Sequence, residues 1–268
     1  MRKLITILLA SLLASGGSSQ TLEAGVFAGG SYYIGDLNPA FHFLQTQLNL
    51  GIVGRYNLDS RWAFKVGAYR GALKGDVTKS NYLEERMLKF NMNITEVSVV
   101  AELNFLDYFT GSLRNYFSPY MFGGIAVAYG IPKVDQRELR ELGTEGQNVG
   151  FEDREQYSFT NFAIPFGLGI KYGISKRIAL SAEWGMRKVF TDYLDDVSTT
   201  YFLDADEVEP GDENFPTLVF SDPPREHEPY QQRGYSKTTD WYSFAGIMLT
   251  YKINLVPRGK CGEFQEGF

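Results

Sequence analysis

Eight stretches of this chain place an apolar side chain at every second position, and that rhythm constrains the fold more than any other feature. In residues 162–172, Phe162, Ile164, Phe166, Leu168, Ile170 and Tyr172 alternate with Pro165, Gly167, Gly169 and Lys171. In residues 97–105, Val97, Val99, Ala101, Leu103 and Phe105 alternate with Ser98, Glu102 and Asn104. Residues 47–57, 62–68, 178–187 and 245–254 follow the same pattern, and 22–34 and 118–131 follow it less cleanly. Successive side chains of a strand point to opposite faces, whereas a helix returns to one face every three to four residues. The chain therefore reads as all-β, with eight two-faced strands.

The connections between these strands fall into two sets. Residues 58–61, 106–117 and 173–176 are short, whereas 35–44, 74–89, 132–157 and 192–240 are longer. Short turns at one end and long loops at the other is the layout of an outer-membrane barrel, whose strands need about 9–11 residues to cross obliquely. A soluble barrel or sandwich shares the alternation but turns its apolar face inward. Two features favour lipid. The polar face carries Glu23, Arg55, Lys65, Glu96, Glu102, Lys171, Glu183, Arg187 and Lys252 among Gly and Ser, which suits a narrow, closed interior of paired charges. Closure also satisfies every backbone group that lipid cannot. In addition, aromatics stand toward the ends of the apolar face: Tyr56, Trp62, Phe105, Tyr172 and Tyr251 by the short turns, Phe162, Trp184 and Trp241 by the long loops. Such girdles mark the two membrane–water boundaries. The expected fold is an eight-stranded antiparallel transmembrane β-barrel with short periplasmic turns and long extracellular loops. Eight strands leave room only for side chains, so the charged residues read as an internal network and not as a transport path.

The N-terminus supplies the route to a membrane. Arg2 and Lys3 precede the apolar run 4–14 and the small residues 15–19, the order of a secretory signal cleaved ahead of Gln20. The run is too short to span a bilayer as a helix. The expected organisation is a signal peptide at 1–19, the barrel at 20–254 and a periplasmic tail at 255–268. Composition removes other classes. With 26 Lys+Arg against 32 Asp+Glu, a net charge of −6 and no basic run, the chain is a poor nucleic-acid binder. One cysteine excludes an intrachain disulfide framework, and two histidines exclude a multi-histidine metal centre. No cofactor, metal or catalytic residue is expected.

Function then falls to the loops, the turns or the tail. Residues 192–240 hold thirteen acidic and three basic side chains and five of the ten prolines. Asp204, Asp206, Glu207, Glu209, Asp212 and Glu213 offer the carboxylates that calcium favours, but without an EF-hand spacing, and such runs are commonly just solvated. His42 and His227, with Asp36 and Asp222 near them in sequence, raise a small membrane-embedded enzyme as an alternative, although no nucleophile motif accompanies them. A plain structural or adhesive barrel is a further alternative. On the short-turn side, Cys261 is a candidate for an intermolecular disulfide, and the turn 106–117 presents Tyr108, Phe109, Tyr116 and Phe117 as partner-docking aromatics.

Several segments bear a family likeness: 30–39 (GSYYIGDLNP), 118–133 (SPYMFGGIAVAYGIPK), 142–147 (LGTEGQ), 163–172 (AIPFGLGIKY), 190–201 (FTDYLDDVSTTY) and the tail 259–264 (GKCGEF). In these the chain resembles the PorG family, an outer-membrane barrel component of the type IX secretion system. The resemblance implies a non-enzymatic barrel that anchors the periplasmic ring of PorK and PorN subunits, in a machine for protein export and, in some cells, gliding motility. It carries over no catalytic residues. It leaves open why the motifs at 35–39 and 191–198 stand in outward loops; packing together as a barrel cap would make Asp36, Asp192, Asp195 and Asp196 structural.

Overall fold

The computed structural model describes residues 21–253. The expected signal peptide at 1–19, and Cys261 with the tail 255–268, lie outside the described residues. The strands are β1 (Thr21–Ile34), β2 (Gln47–Asn57), β3 (Trp62–Asp76), β4 (Lys89–Asn104), β5 (Phe117–Gly130), the short hairpin β6 (Lys133–Val134) and β7 (Arg137–Glu138), then β8 (Thr160–Gly173), β9 (Ile178–Val189) and β10 (Trp241–Ile253). Leaving the hairpin aside, eight long strands pair in the ring β1-β2-β3-β4-β5-β8-β9-β10, and β10 returns to β1 through Leu22↔Ile253 to Ile34↔Trp241. Every neighbouring pair is antiparallel, so the barrel is closed and no edge is left to solvent or lipid. No helix among the described residues is long and apolar enough to cross a membrane; the strands do so.

The outer wall is apolar where a soluble protein would be polar. Ile52, Ile125 and Phe162 are 66%, 69% and 71% exposed, and Leu48, Val66, Val97, Leu168, Ile247 and Leu249 join them around the ring. A continuous exposed apolar belt of this kind is a lipid-facing surface. Trp62, Phe105, Tyr172 and Tyr251 stand exposed near its short-turn edge. Trp184 departs from the expected girdle: it sits in mid-strand, and its indole N–H donates to the Tyr32 hydroxyl at 2.8 Å.

Two differences from the sequence reading share one cause. β3 runs on to Asp76 and β4 starts at Lys89, so both reach into what read as the loop 74–89. Toward the long-loop ends of both strands the faces swap polarity. Leu73, Phe90, Met92 and Ile94 point inward and are buried, while Arg70, Lys74, Lys89, Asn91 and Asn93 point outward and are exposed. Above the belt water replaces lipid outside, and the interior becomes a hydrophobic core closed by the loops. That core joins Phe27, Tyr69, Phe244, Leu73, Phe90 and Met92 to Leu37, Val134, Leu139, Leu194 and Val197 of the loops. Aromatic content is therefore divided between the belt and the interior. Glycines make space for the inward rings: a Cβ at Gly51 or Gly67 would lie 2.5 or 2.4 Å from the Tyr69 ring, which lies across both strands.

Candidate functional site

The lumen is the first place to look for a path or a reaction, and it is full. In its lower half Arg55 bonds Glu23 at 3.0 Å and lies 2.8 Å from Glu102. Lys65 meets Glu183 at 2.5 Å and Glu102 at 3.2 Å, and Lys171 meets Glu102 at 2.6 Å. Higher up, Arg187 pairs with Glu96 at 3.2 Å, and the Tyr242 hydroxyl donates to the same carboxylate at 2.7 Å. These eight charged side chains are buried, four cations against four anions. Buried charge persists only when it is paired, and strand alternation brings these groups inward from β1, β2, β3, β4, β8 and β9. Cations also lie over aromatic faces in the lumen: Lys65 stands 4.8 Å over Phe122 and Arg187 4.1 Å over Phe244.

The short-turn end is stoppered by the connection between β4 and β5. Gly111, at φ +92, helps turn this segment back on itself. Tyr108 and Thr110 enter the barrel, both under 4% exposed. The Thr110 hydroxyl donates to Glu23, Lys252 donates to the Thr110 carbonyl at 3.1 Å, and Lys171 stands 5.8 Å over the Tyr108 ring. The expectation that Tyr108 docks a partner is therefore corrected: its ring is needed to fill the barrel mouth. Phe109 is half-buried, whereas Tyr116 and Phe117 stay exposed, Tyr116 edge-on to Tyr172 at 5.4 Å. Beside them Leu113 projects at 95% exposure.

At the long-loop end, segments 30–39, 142–147 and 190–201 converge in one buried polar cap. Glu145 accepts from the backbone N–H of Ser198 at 2.9 Å, from the Thr199 hydroxyl at 2.5 Å and from Arg233 at 2.9 Å. Arg233 also donates to the Asp196 carbonyl at 2.5 Å, and the Thr144 and Tyr157 hydroxyls donate to the Asp196 carboxylate. Asp36 accepts from the Tyr235 N–H at 3.0 Å. Glu145 and Arg233, the centre of this cap, had no place in the sequence reading. Their signal was an intact LGTEGQ motif and one of only three bases in an acidic loop.

Next to Arg233's network lies a cluster with too few cations. The Tyr33 hydroxyl contacts both Asp195 and Asp240, the latter at 3.1 Å. A phenol has one proton to donate, so one of the two carboxyls must itself carry a proton to satisfy both contacts. Burial, Asp240 and Asp36 push Asp195 well above the usual carboxylate range, and burial with Asp192 does the same to Asp240. Burial, with Asp36 and Glu145 adding to it, raises Asp192 to about 7 against a hydrogen bond from Ser198. Asp196 is lifted by burial to about 6 although Arg233 opposes the shift.

The remaining candidates separate in space. His227 pairs with Asp222 at 2.7 Å and stacks on Tyr201 with centroids 4.3 Å apart. His42 instead contacts the Tyr32 hydroxyl at 3.1 Å and the Trp184 ring on the outer wall. Among the described residues no group of three or more His, Cys, Asp or Glu is arranged to hold a metal ion, and Asp204 to Glu213 form exposed local turns.

Fold and site together define a closed, filled, eight-stranded antiparallel β-barrel that spans a membrane. The chain belongs to the family described as a domain of unknown function, DUF6089, whose model matches residues 2–261. No curated protein matches the sequence. Similar solved structures include the Neisserial surface protein A, at 9% identity and TM-score 0.45, covering 89% of this chain and 100% of that one. Ail, the attachment invasion locus protein of Yersinia pestis, is 9% identical with TM-score 0.41 over 87% of this chain and 97% of its own. The outer membrane protein OprG from Pseudomonas aeruginosa is 9% identical with TM-score 0.37 over 88% and 96%. No activity or ligand follows from these superpositions.

Two outcomes follow from the geometry. Glu102→Gln leaves Arg55, Lys65 and Lys171 buried around a neutral amide, and should destabilise the barrel by about 3–5 kcal/mol; the midpoint of its heat-induced gel-mobility shift reads this, and an unchanged midpoint would show the network is dispensable. The cap should loosen as pH rises. Its carboxyls hold protons more tightly folded than unfolded, so the stability they contribute is present below about 4 and is lost through 6 to 7 as Asp196 and Asp192 ionise. Limited proteolysis within 192–240 should accelerate from pH 5 to pH 8, and Asp192→Asn should flatten that dependence.

Proposed function

We propose that this protein is a non-enzymatic barrel of the outer membrane that anchors the periplasmic PorK and PorN ring of the type IX secretion system, serving protein export and, in gliding cells, motility. The observation that carries the reading is a lumen stopped at both ends: ion pairs fill it, Tyr108 and Thr110 close the short-turn mouth, and the Glu145–Arg233 cap closes the other. Such a barrel offers surfaces and no passage. The segments that carry the resemblance to the PorG family support the reading further, since three of them build one cap.

The anchoring surface in this reading is the short-turn end. β1 begins and β10 ends there, paired at Leu22↔Ile253, on the same side as Leu113, Tyr116 and Phe117. Exposed apolar side chains at this end of the barrel suit a protein partner. Affinity purification of the tagged barrel after mild cross-linking should recover PorK and PorN, and Leu113→Asp with Tyr116→Ala should lower that recovery several-fold while the barrel still shows its folded gel mobility. A barrel purified alone from cells that contain the ring would refute the proposal. On non-reducing gels Cys261→Ser should abolish a reductant-sensitive band of higher mass; a band that persists would rule out the disulfide.

A further inference from the structure

The outer wall is not uniformly greasy up to its rim. On β3 and β4, above the belt, the outward positions are Arg70, Lys74 and Lys89 with the neutral Asn91, Asn93 and Thr95. Register places this face at the edge of the belt: Arg70 pairs with Leu50 of β2 and Thr95 of β4, and Thr95 pairs with Tyr129 of β5. Lys74 opposes Asn91 and Lys89 opposes Asp76. The two lysines are thus diagonal neighbours, with Cβ atoms about 7–8 Å apart, and their ammonium groups can close on one anion. Lys79, from the loop above, lines with them a recess of about 180 Å³ floored by Gly75 and Phe90. Two carboxylates also line the recess: Asp76 accepts from Thr78 N and Oγ1 at 3.0 and 2.6 Å, and the exposed Asp135 lies 3.4 Å from Lys89, so three cations face two anions there and Arg70 adds a fourth cation nearer the membrane. Among the described residues Arg70, Lys74 and Lys79 form no ion pair. The far side of the barrel presents Phe162, Ile164 and Phe166 instead.

We propose that this face binds the phosphorylated headgroup of a membrane lipid. Lys74, Lys79 and Lys89 hold a phosphate in the recess, Arg70 takes a second anionic oxygen group nearer the membrane, and the acyl chains run down the wall past Val66, Ala68, Val97 and Val99. Cations at a membrane surface attract anionic headgroups, and an ammonium cluster and a guanidinium are the side chains suited to phosphate. The inference depends on the membrane barrel and is independent of any ring partner.

The test uses the full-length barrel in neutral detergent micelles, titrated with a bisphosphorylated glycolipid (lipid A) or with the same lipid after phosphatase treatment, bound lipid being read by native mass spectrometry. The unmodified protein should bind the phosphorylated form at least on the order of tenfold more tightly, with the preference shrinking at high salt. In R70Q/K74Q/K89Q the preference should fall to within about twofold, whereas K74R/K89R should retain it. Heat-dependent gel mobility checks that each variant folds; should the triple variant fail, K74Q and K89Q separately provide the reading. Equal binding of the two lipids by the unmodified protein, or a preference unchanged in the glutamine variants, overturns the proposal. So does displacement of the lipid by an equal concentration of inorganic phosphate, which would make this a free-anion site.

Discussion

Closing eight strands into a ring leaves a lumen one side chain wide, and the rest of the molecule answers to that constraint. No water column can solvate a charge there, so each ionised group must find its counter-ion on another strand. Glu102 shows the consequence most directly, since Arg55, Lys65 and Lys171, from three different strands, all close on it. A network of this kind resists sliding of one strand past the next: a two-residue slip would leave the same faces inward but separate every pair. Alternation selects the face, and the ion pairs select the register.

The same constraint explains why the polarity of β3 and β4 inverts partway along. Inside the membrane the wall is apolar outward and polar inward, because lipid lies on one side and a narrow charged lumen on the other. Beyond it the medium outside is water, and the interior is covered by loops that can bring Leu37, Val134, Leu139, Leu194 and Val197 to bear. The strands then behave as those of a soluble barrel. Arg70 marks the change, and the two environments meet over a few residues of one continuous hairpin.

This inversion also decides what could be read from the sequence. Period two identifies the eight strands whichever face is apolar, and pairing of opposite charges along the polar face made the lumen legible. The boundaries near 74–89 were not, because Leu73, Phe90 and Met92 continue the period on the opposite face and so look like its end. Inward aromatics such as Phe27 and Tyr69 are indistinguishable from girdle residues until the partner wall is known, here Gly51 and Gly67. Tyr108 was misread for a related reason: an aromatic in a turn reads as a surface anchor unless its neighbours show that the turn folds back inside. The cap was partly visible, since Asp36, Asp192, Asp195 and Asp196 stood in motifs, but the pairing of Glu145 with Arg233 spans 88 residues and has no local signature.

The cap is built against the tendencies that govern the lumen. There, anions and cations balance; here Asp195 and Asp240 close on Tyr33 with Asp36 and Asp192 near them, while Arg233 is directed at Glu145 and Asp196. Such a cluster stays closed only while some of its carboxyls keep their protons, so its stability responds to pH in a way the lumen's does not. A stopper that merely filled space would be better made of apolar side chains, which were available to this chain in its own upper core. The barrel thus combines a rigid stave structure, fixed by balanced ion pairs, with a lid whose cohesion is set by protons. The two mouths differ accordingly: the short-turn plug is locked into the balanced network through Glu23 and Thr110, while the long-loop lid is held by the Glu145–Arg233 pair and by carboxyls that keep their protons.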